Sequence, residues 1–433
     1  MRTSSSYQKI SQLIEENFFG LKRKYPLSFY YLEDELRLLL NDENYILEQN
    51  LKRYADQSTL KLLLLEILLK IYIALSKCGI LIKKKRVFLS IARHPQLAKK
   101  LLTEINKVGL SSLENPRNYV NAYKLNKYFP LGSLATCNFE LLKIHGVIQS
   151  EGLPFFINSD THLCRLERVL AYQVCKTKDL LLLLGINYMI LQNEHCPHEK
   201  LLLLAGEKLG VKTFVVAHGY LQKSGALITV APIYAHKLIV WTEAQRKMIL
   251  QETMCHENKV AYFGWPFEKI KRKYKPMMIS PLFVLTDLDN DIDLETFEVT
   301  MKILSKFVAK YPNAQIRPHP NFSFSNTQRK KIIVKHFGAY IKYKKLDEQL
   351  MSATFVTGHD SSVLVQAFFG QIPTYRIQEI SILDIDEVPT LSFRELISLD
   401  DNYHSTYNKQ SFSIDCNLNQ LATKIVFELS AST

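Results

Sequence analysis

The chain lacks the glycine signatures of the commonest nucleotide enzymes. No Gly-x-x-x-x-Gly-Lys, Gly-x-Gly-x-x-Gly or Gly-x-Ser-x-Gly occurs. Their absence argues against a P-loop NTPase, a dinucleotide oxidoreductase of the usual kind and an α/β-hydrolase. The start, Met1-Arg-Thr-Ser-Ser-Ser, lacks the apolar core of a secretory signal. The seven cysteines are scattered and odd in number, so a reducing cytoplasm fits better than a disulfide framework. There is no repeat of fixed short period and no low-complexity tract. The basic residues do not interleave with paired Cys/His fingers or an aromatic strand motif, so nucleic acid is not the expected partner.

What is present is a long, apolar and basic chain. Its 433 residues suit two domains, and 47% hydrophobic residues against 22% charged allow a large core. Lys plus Arg number 55 and Asp plus Glu 42, a net +13 that favours an anionic partner. Residues 1–100 hold 18 Lys/Arg and 10 Asp/Glu, so +8 of the charge lies in the first quarter. A second concentration is Lys269-Ile-Lys-Arg-Lys-Tyr-Lys275.

The most apolar stretch, residues 60–82, is long enough to span a bilayer, but four charges interrupt it. At 100° per residue Glu66, Lys70 and Lys77 share one face and only Lys61 lies opposite, which makes it an amphipathic helix. It suits either packing on a core with a solvated stripe, or an interfacial position where Lys83-Lys-Lys-Arg86 meets anionic lipid.

Residues 1–85 read as a helical, basic region. Strands and helices then alternate over 86–267, a basic linker covers 268–280, and the alternation resumes over 281–433. Strand–helix–strand units of this length predict parallel sheets with helices on both faces. The expected fold class is α/β: two doubly wound Rossmann-like domains with an N-terminal helical extension. Ligands of such sheets bind at the carboxyl ends of strands, so polar residues just after strands are the candidates.

Four segments meet that condition. Arg317-Pro-His-Pro320 presents a rigidly held imidazole beside a planar guanidinium suited to phosphate. Thr357-Gly-His-Asp-Ser-Ser-Val363 opens a helix, where Asp360 or Ser361 can cap and the free N–H groups with the hydroxyls of Ser361 and Ser362 suit an anion. Val215-Val-Ala-His-Gly-Tyr220 offers His218 as a base for an acceptor hydroxyl or a donor to phosphate. Asn193-Glu-His-Cys-Pro-His198 offers Glu194 as a base or a ligand for a sugar hydroxyl. His195, Cys196 and His198 have no second ligand pair at suitable spacing, so zinc is not expected. Asp287-Leu-Asp-Asn-Asp-Ile-Asp293 lacks the glycine and further ligands of a calcium loop and reads as a solvated loop near the site.

The order of motifs resembles bacterial GT-B glycosyltransferases of surface-polysaccharide biosynthesis. His218-Gly219, Gly264-Trp-Pro266, Arg317-Pro-His-Pro320, His359-Asp-Ser-Ser-Val363 and Gly370-Gln-Ile-Pro373 carry it, over roughly residues 185–376. His319-Pro320 and Ser361-Ser362 are similar to the nucleotide-binding motifs of bacterial sialyl- and polysialyltransferases. His218-Gly219, Arg317-Pro-His319 and Ser361-Ser362 are similar to motifs of CDP-glycerol glycerophosphotransferases. The sialyltransferase branch carries an acidic pair before glycine as its base, and the only counterpart here is Glu151-Gly152, preceded by Ser150.

The resemblance implies an inverting, metal-independent transfer from a nucleotide-activated donor to a glycan or lipid-linked acceptor. Arg317, His319, Asp360, Ser361 and Ser362 are expected at the donor, and His218 or Glu194 at the reacting hydroxyl. It implies no cofactor. The cysteines and the N-terminal basic excess lead to the expectation of a cytoplasmic protein, peripheral on the anionic inner face of a bacterial plasma membrane. A sugar-nucleotide epimerase and a non-catalytic envelope-assembly protein are the alternatives with the same architecture.

Overall fold

A computed structural model describes residues 6–41, 67, 86–91, 95–114, 139–195, 197–217, 232–264, 279–288, 292–323, 327–381, 388–399 and 418–430. The helix expected over 60–82, apart from residue 67, lies outside them. So do residues 83–85, His218-Gly219, Trp265-Pro266 and most of the linker. The chain forms two compact units: residues 1–221, 225–267 and 418–433, and residues 222–224 and 268–417.

The first unit is built on six parallel strands: β1 (Arg86–Ser90), β2 (Ser111–Glu114), β3 (Ile186–Leu191), β4 (Lys212–Val216), β5 (Lys237–Val240) and β6 (Val260–Tyr262). Their order is β2-β1-β3-β4-β5-β6. Val87, Phe88, Leu89, Met189, Ile190, Val215 and Ile239 are buried, so consecutive residues of these strands pack on both faces. That is why the runs are continuously apolar rather than alternating. The chain moves from β1 to β2 on one side and returns to β3 on the other. The point between β1 and β3 is therefore where strand order reverses, and Gln192 N–H donates there to Ser90 O at 2.9 Å.

The N-terminal helices α1 (Ser6–Lys24) and α2 (Pro26–Asn41), the expected helical extension, pack into this unit. Phe29, Leu32 and Leu36 recur at helical spacing and are buried. The open N–H groups at the start of α2 are met by Glu167 of α6 (Asp160–Leu183). Leu27 N–H donates to Oε1 at 3.1 Å and Ser28 N–H to Oε2 at 2.8 Å.

The last helix corrects an expectation. Residues 281–433 read as one domain, but Leu418–Ser430 packs on the first unit. Its buried Leu421, Ile425 and Leu429 join Leu97, Leu101 and Ile105 of α3 (Pro95–Lys107) in one core, and Lys237 pairs with Glu428 at 2.6 Å. The apolar stripe was legible; its partner, more than 300 positions earlier, was not.

The second unit has five parallel strands: β7 (Leu282–Val284), β8 (Gln315–Arg317), β9 (Val356–Gly358), β10 (Thr374–Ile377) and β11 (Thr390–Leu391). Their order is β11-β10-β9-β7-β8, so the reversal falls between β7 and β9. α9 (Leu294–Lys310), capped by Asp293, packs Phe307 and Leu304 into a core with Phe283, Phe355 and Tyr375.

Candidate functional site

In the second unit, register brings the candidate segments together. Arg317, Val284 and Gly358 lie side by side in the sheet. Two residues further along each strand stand His319, Thr286 and Asp360, so all three emerge at the same level of the carboxyl edge. Gly358 makes this possible. Its φ is +134°, and a Cβ there would lie 2.2 Å from Val284 O. The close approach lets His359 N–H donate to Val284 O at 2.9 Å as the chain leaves the sheet.

His319 is the half-buried head of the group. Its Nδ1 lies 3.8 Å from an Asp287 carboxylate oxygen. The two residues line a small cavity with Thr286, Leu288, Phe322 and Lys330. Lys330 is in the first turn of α10 (Gln328–Phe337), and its Nζ stands 5.5 Å from the centre of the Phe322 ring. The cavity thus combines an imidazole, a carboxylate, a hydroxyl, an ammonium and a ring face. Sequence reasoning missed Thr286 and Lys330, since neither sits in a recognisable motif. It read Asp287 only as part of a loop.

The other expected donor residues stand differently. Arg317 donates from Nη1 to Lys344 O at 3.0 Å and to the Gln349 side chain, and does not line the cavity. Asp360 accepts from Arg376 Nε at 2.8 Å in a buried pair, with Arg376 Nη1 also donating to Thr390. Ser361 is the N-cap of α12 (Ser362–Phe369): its Oγ accepts from Val363 N–H at 3.2 Å. Ser362 opens that helix and is partly exposed.

His359 faces inward. Thr300 Oγ1 donates to Thr296 O at 2.7 Å, so it receives its other hydrogen bond from His359 Nε2–H at 2.9 Å. Burial lowers the His359 pKa to about 4 and keeps the ring neutral.

In the first unit, Glu194 and His195 follow β3 at the point where strand order reverses. Glu194 is 1% exposed and accepts from Ala235 N–H at 2.6 Å through Oε2. Burial raises its pKa, more than the nearby His195 and backbone N–H groups lower it. Glu151, the other candidate base, ends the helix Phe139–Glu151 and is exposed. His218 lies outside the described residues.

What surrounds Glu194 is set by tertiary contacts that no local motif announces. Asp34 of α2 reaches His195 Nδ1 at 2.8 Å and pairs with Lys200 of α7 (Pro197–Glu207). Lys200 also donates to Tyr31 O at 3.0 Å. Tyr234 donates to Glu33 at 2.6 Å and packs on Tyr30, ring centres 4.4 Å apart. Burial opposes charge on Asp34, but Lys200 and His195 outweigh it and hold the carboxyl at about 2.

Three solved structures share the architecture. A Methanocaldococcus jannaschii UDP-GlcNAc 2-epimerase, in complex with UDP-GlcNAc and UDP, aligns at TM-score 0.50 and 13% identity, over 80% of this chain and 99% of its own. Staphylococcus aureus MnaA with UDP aligns at 0.50 and 10% identity, over 81% and 97%. A Listeria monocytogenes protein described as a UDP-N-acetylglucosamine 2-epimerase aligns at 0.53 and 10% identity, over 81% and 97%. The chain has the GT-B fold. No protein-family model matches it, and no curated protein matches it significantly. At this identity the likeness to GT-B enzymes is one of fold. Among the described residues, no helix of this GT-B chain is long and apolar enough to cross a membrane.

Proposed function

We propose that the chain is a glycosyltransferase. It moves a sugar or polyol phosphate from a nucleotide-activated donor to a glycan or lipid-linked acceptor. The observation that carries this reading is the group of side chains at the second unit's carboxyl edge, where His319, Asp287, Thr286 and Lys330 converge around a water-sized cavity of about 10 Å³. Cationic and hydroxyl groups there suit a phosphate, and the carboxylate suits a hydroxyl or amino group of the nucleoside. Ser362 adds the first N–H of α12, the next two being bonded to Ser361. Arg317 and Asp360 position these segments through Gln349 and Arg376.

Catalysis in this reading rests on three contributions. The first unit supplies the base that takes the acceptor's proton, the second unit binds the donor, and the departing phosphate is stabilised there by His319 and the start of α12. The basic excess fits docking to the anionic surface where a lipid-linked acceptor resides. A nucleotide-release assay with a panel of CMP-, CDP-, UDP- and GDP-linked donors tests the reading. Turnover by the wild type that is lost in His319→Ala supports it. Unchanged turnover in that variant removes the donor-site assignment.

A sugar-nucleotide epimerase is the second reading, favoured by the shared architecture with the epimerases above. Incubation without acceptor separates the two: an isomerised donor favours the epimerase.

A further inference from the structure

Among the described residues, the carboxyl edge of β3 carries two buried polar atoms with no hydrogen-bond partner. Glu194 Oε1 and His195 Nε2 are both shielded from water and accept or donate no hydrogen bond. Each such buried orphan destabilises the fold. Two of them on adjacent residues, at the reversal point of the sheet, mark a place built for something else to complete. A ligand hydroxyl fits both, because it can donate one proton and accept another. His195 is fixed from behind, since Nδ1–H donates to Asp34 at 2.8 Å and only Nε2 is left open. Asp34 is fixed in turn by Lys200.

We propose that His195 Nε2 is the atom that takes the acceptor's proton, with Asp34 of the N-terminal helices as its positioning residue and the protonated Glu194 carboxyl donating from Oε1–H to the same hydroxyl oxygen. The proposal rests on the transferase reading. The acceptor O–H bond breaks and its proton passes to Nε2. The oxygen's electron pair forms a bond to the donor's reacting carbon, or to phosphorus where a polyol phosphate moves. The bond from that atom to the nucleotide's phosphate oxygen breaks, and its electron pair leaves with the nucleotide. The first two helices thereby become part of the catalytic unit.

The groups around the imidazole set its ionisation. Asp34 and Glu35 approach from α2, Lys200 from α7, Tyr234 from the segment before β5 with its ring centre 5.7 Å away, and Glu194 from its own strand end. Burial disfavours the imidazolium, but the Asp34 charge outweighs it and raises the His195 pKa. The neutral, proton-accepting form therefore gains ground as pH rises.

The test measures donor turnover by the full chain across pH for wild type, Asp34→Asn, Asp34→Glu and His195→Gln. Melting temperatures and ¹⁵N titration of the histidines accompany it. His195→Gln is expected to lower kcat by about 10²–10⁴-fold while the KM for donor holds. Asp34→Asn is expected to move the alkaline rise of kcat/KM to lower pH by about one unit, in step with the His195 titration, and Asp34→Glu to restore it in part. Wild-type turnover with kcat unchanged in folded His195→Gln overturns the assignment alone. So does a pH profile that stays fixed while the imidazole titration moves. If the wild type releases nucleotide from no donor, the transferase reading fails and this assignment fails with it.

Discussion

The Asp34 carboxylate holds His195 Nδ1 at 2.8 Å across 161 positions of sequence. The contact ties α2 to the end of β3, and Lys200 and Tyr234 close around it. Replacing Asp34 by Ala leaves the buried Lys200 without its carboxylate. The expected cost is about 3–5 kcal/mol, read as a shift in the denaturant midpoint. Deleting residues 1–41 is expected to give insoluble or molten protein. A truncated chain that melts cooperatively at the wild-type temperature would contradict the packing described.

Gly358 admits no side chain. Its φ of +134° and the 2.2 Å approach of a Cβ to Val284 O combine strain with overlap. Gly358→Ala is expected to destabilise the second unit by about 2–5 kcal/mol. Equilibrium denaturation checks it, and a change under 1 kcal/mol would speak against the strand geometry.

Arg317 and His319 are two residues apart, and their variants should behave differently. Arg317 bonds Lys344 and Gln349 within its own unit, whereas His319 lines the cavity. His319→Ala is expected to weaken nucleotide binding about 10-fold or more, and Arg317→Ala chiefly to lower the melting temperature. Calorimetry beside melting curves separates the effects; the reverse pattern would place the guanidinium at the ligand.

How much of this was legible from sequence follows from the range of each interaction. Apolar runs such as Thr213-Phe-Val-Val-Ala217 and Leu282-Phe-Val-Leu-Thr286 announce buried parallel strands, because the signal lies within five residues. Polar residues after those strands were found by the same local logic, and His319 and Glu194 were named. Asp34 was invisible. In Leu32-Glu-Asp-Glu-Leu36 it looks like any solvated acidic turn, and only tertiary contact distinguishes it from its neighbours. The partners of Lys330 and of the helix Leu418–Ser430 were hidden for the same reason.

Two buried histidines give a pH signature. Burial lowers His145 and His359 to about 4, while in the unfolded chain each titrates near its ordinary 6.5. As pH falls from 6.5 to 4 the unfolded state binds protons that the folded state refuses. Stability is therefore constant above this window and drops within it, by about 3 kcal/mol at most per histidine. His359→Gln is expected to flatten the fall between pH 7 and 4.5 in urea titrations. An unchanged slope would mean the ring is protonated in the fold.

The most direct test of a nucleotide site in the second unit is calorimetric titration of the full chain with CMP, CDP, UDP and GDP, repeated with His319→Ala. Saturable one-site binding of at least one nucleotide, weakened in the variant, is the expected result. Failure of all four to bind, or equal binding by wild type and variant, would contradict it.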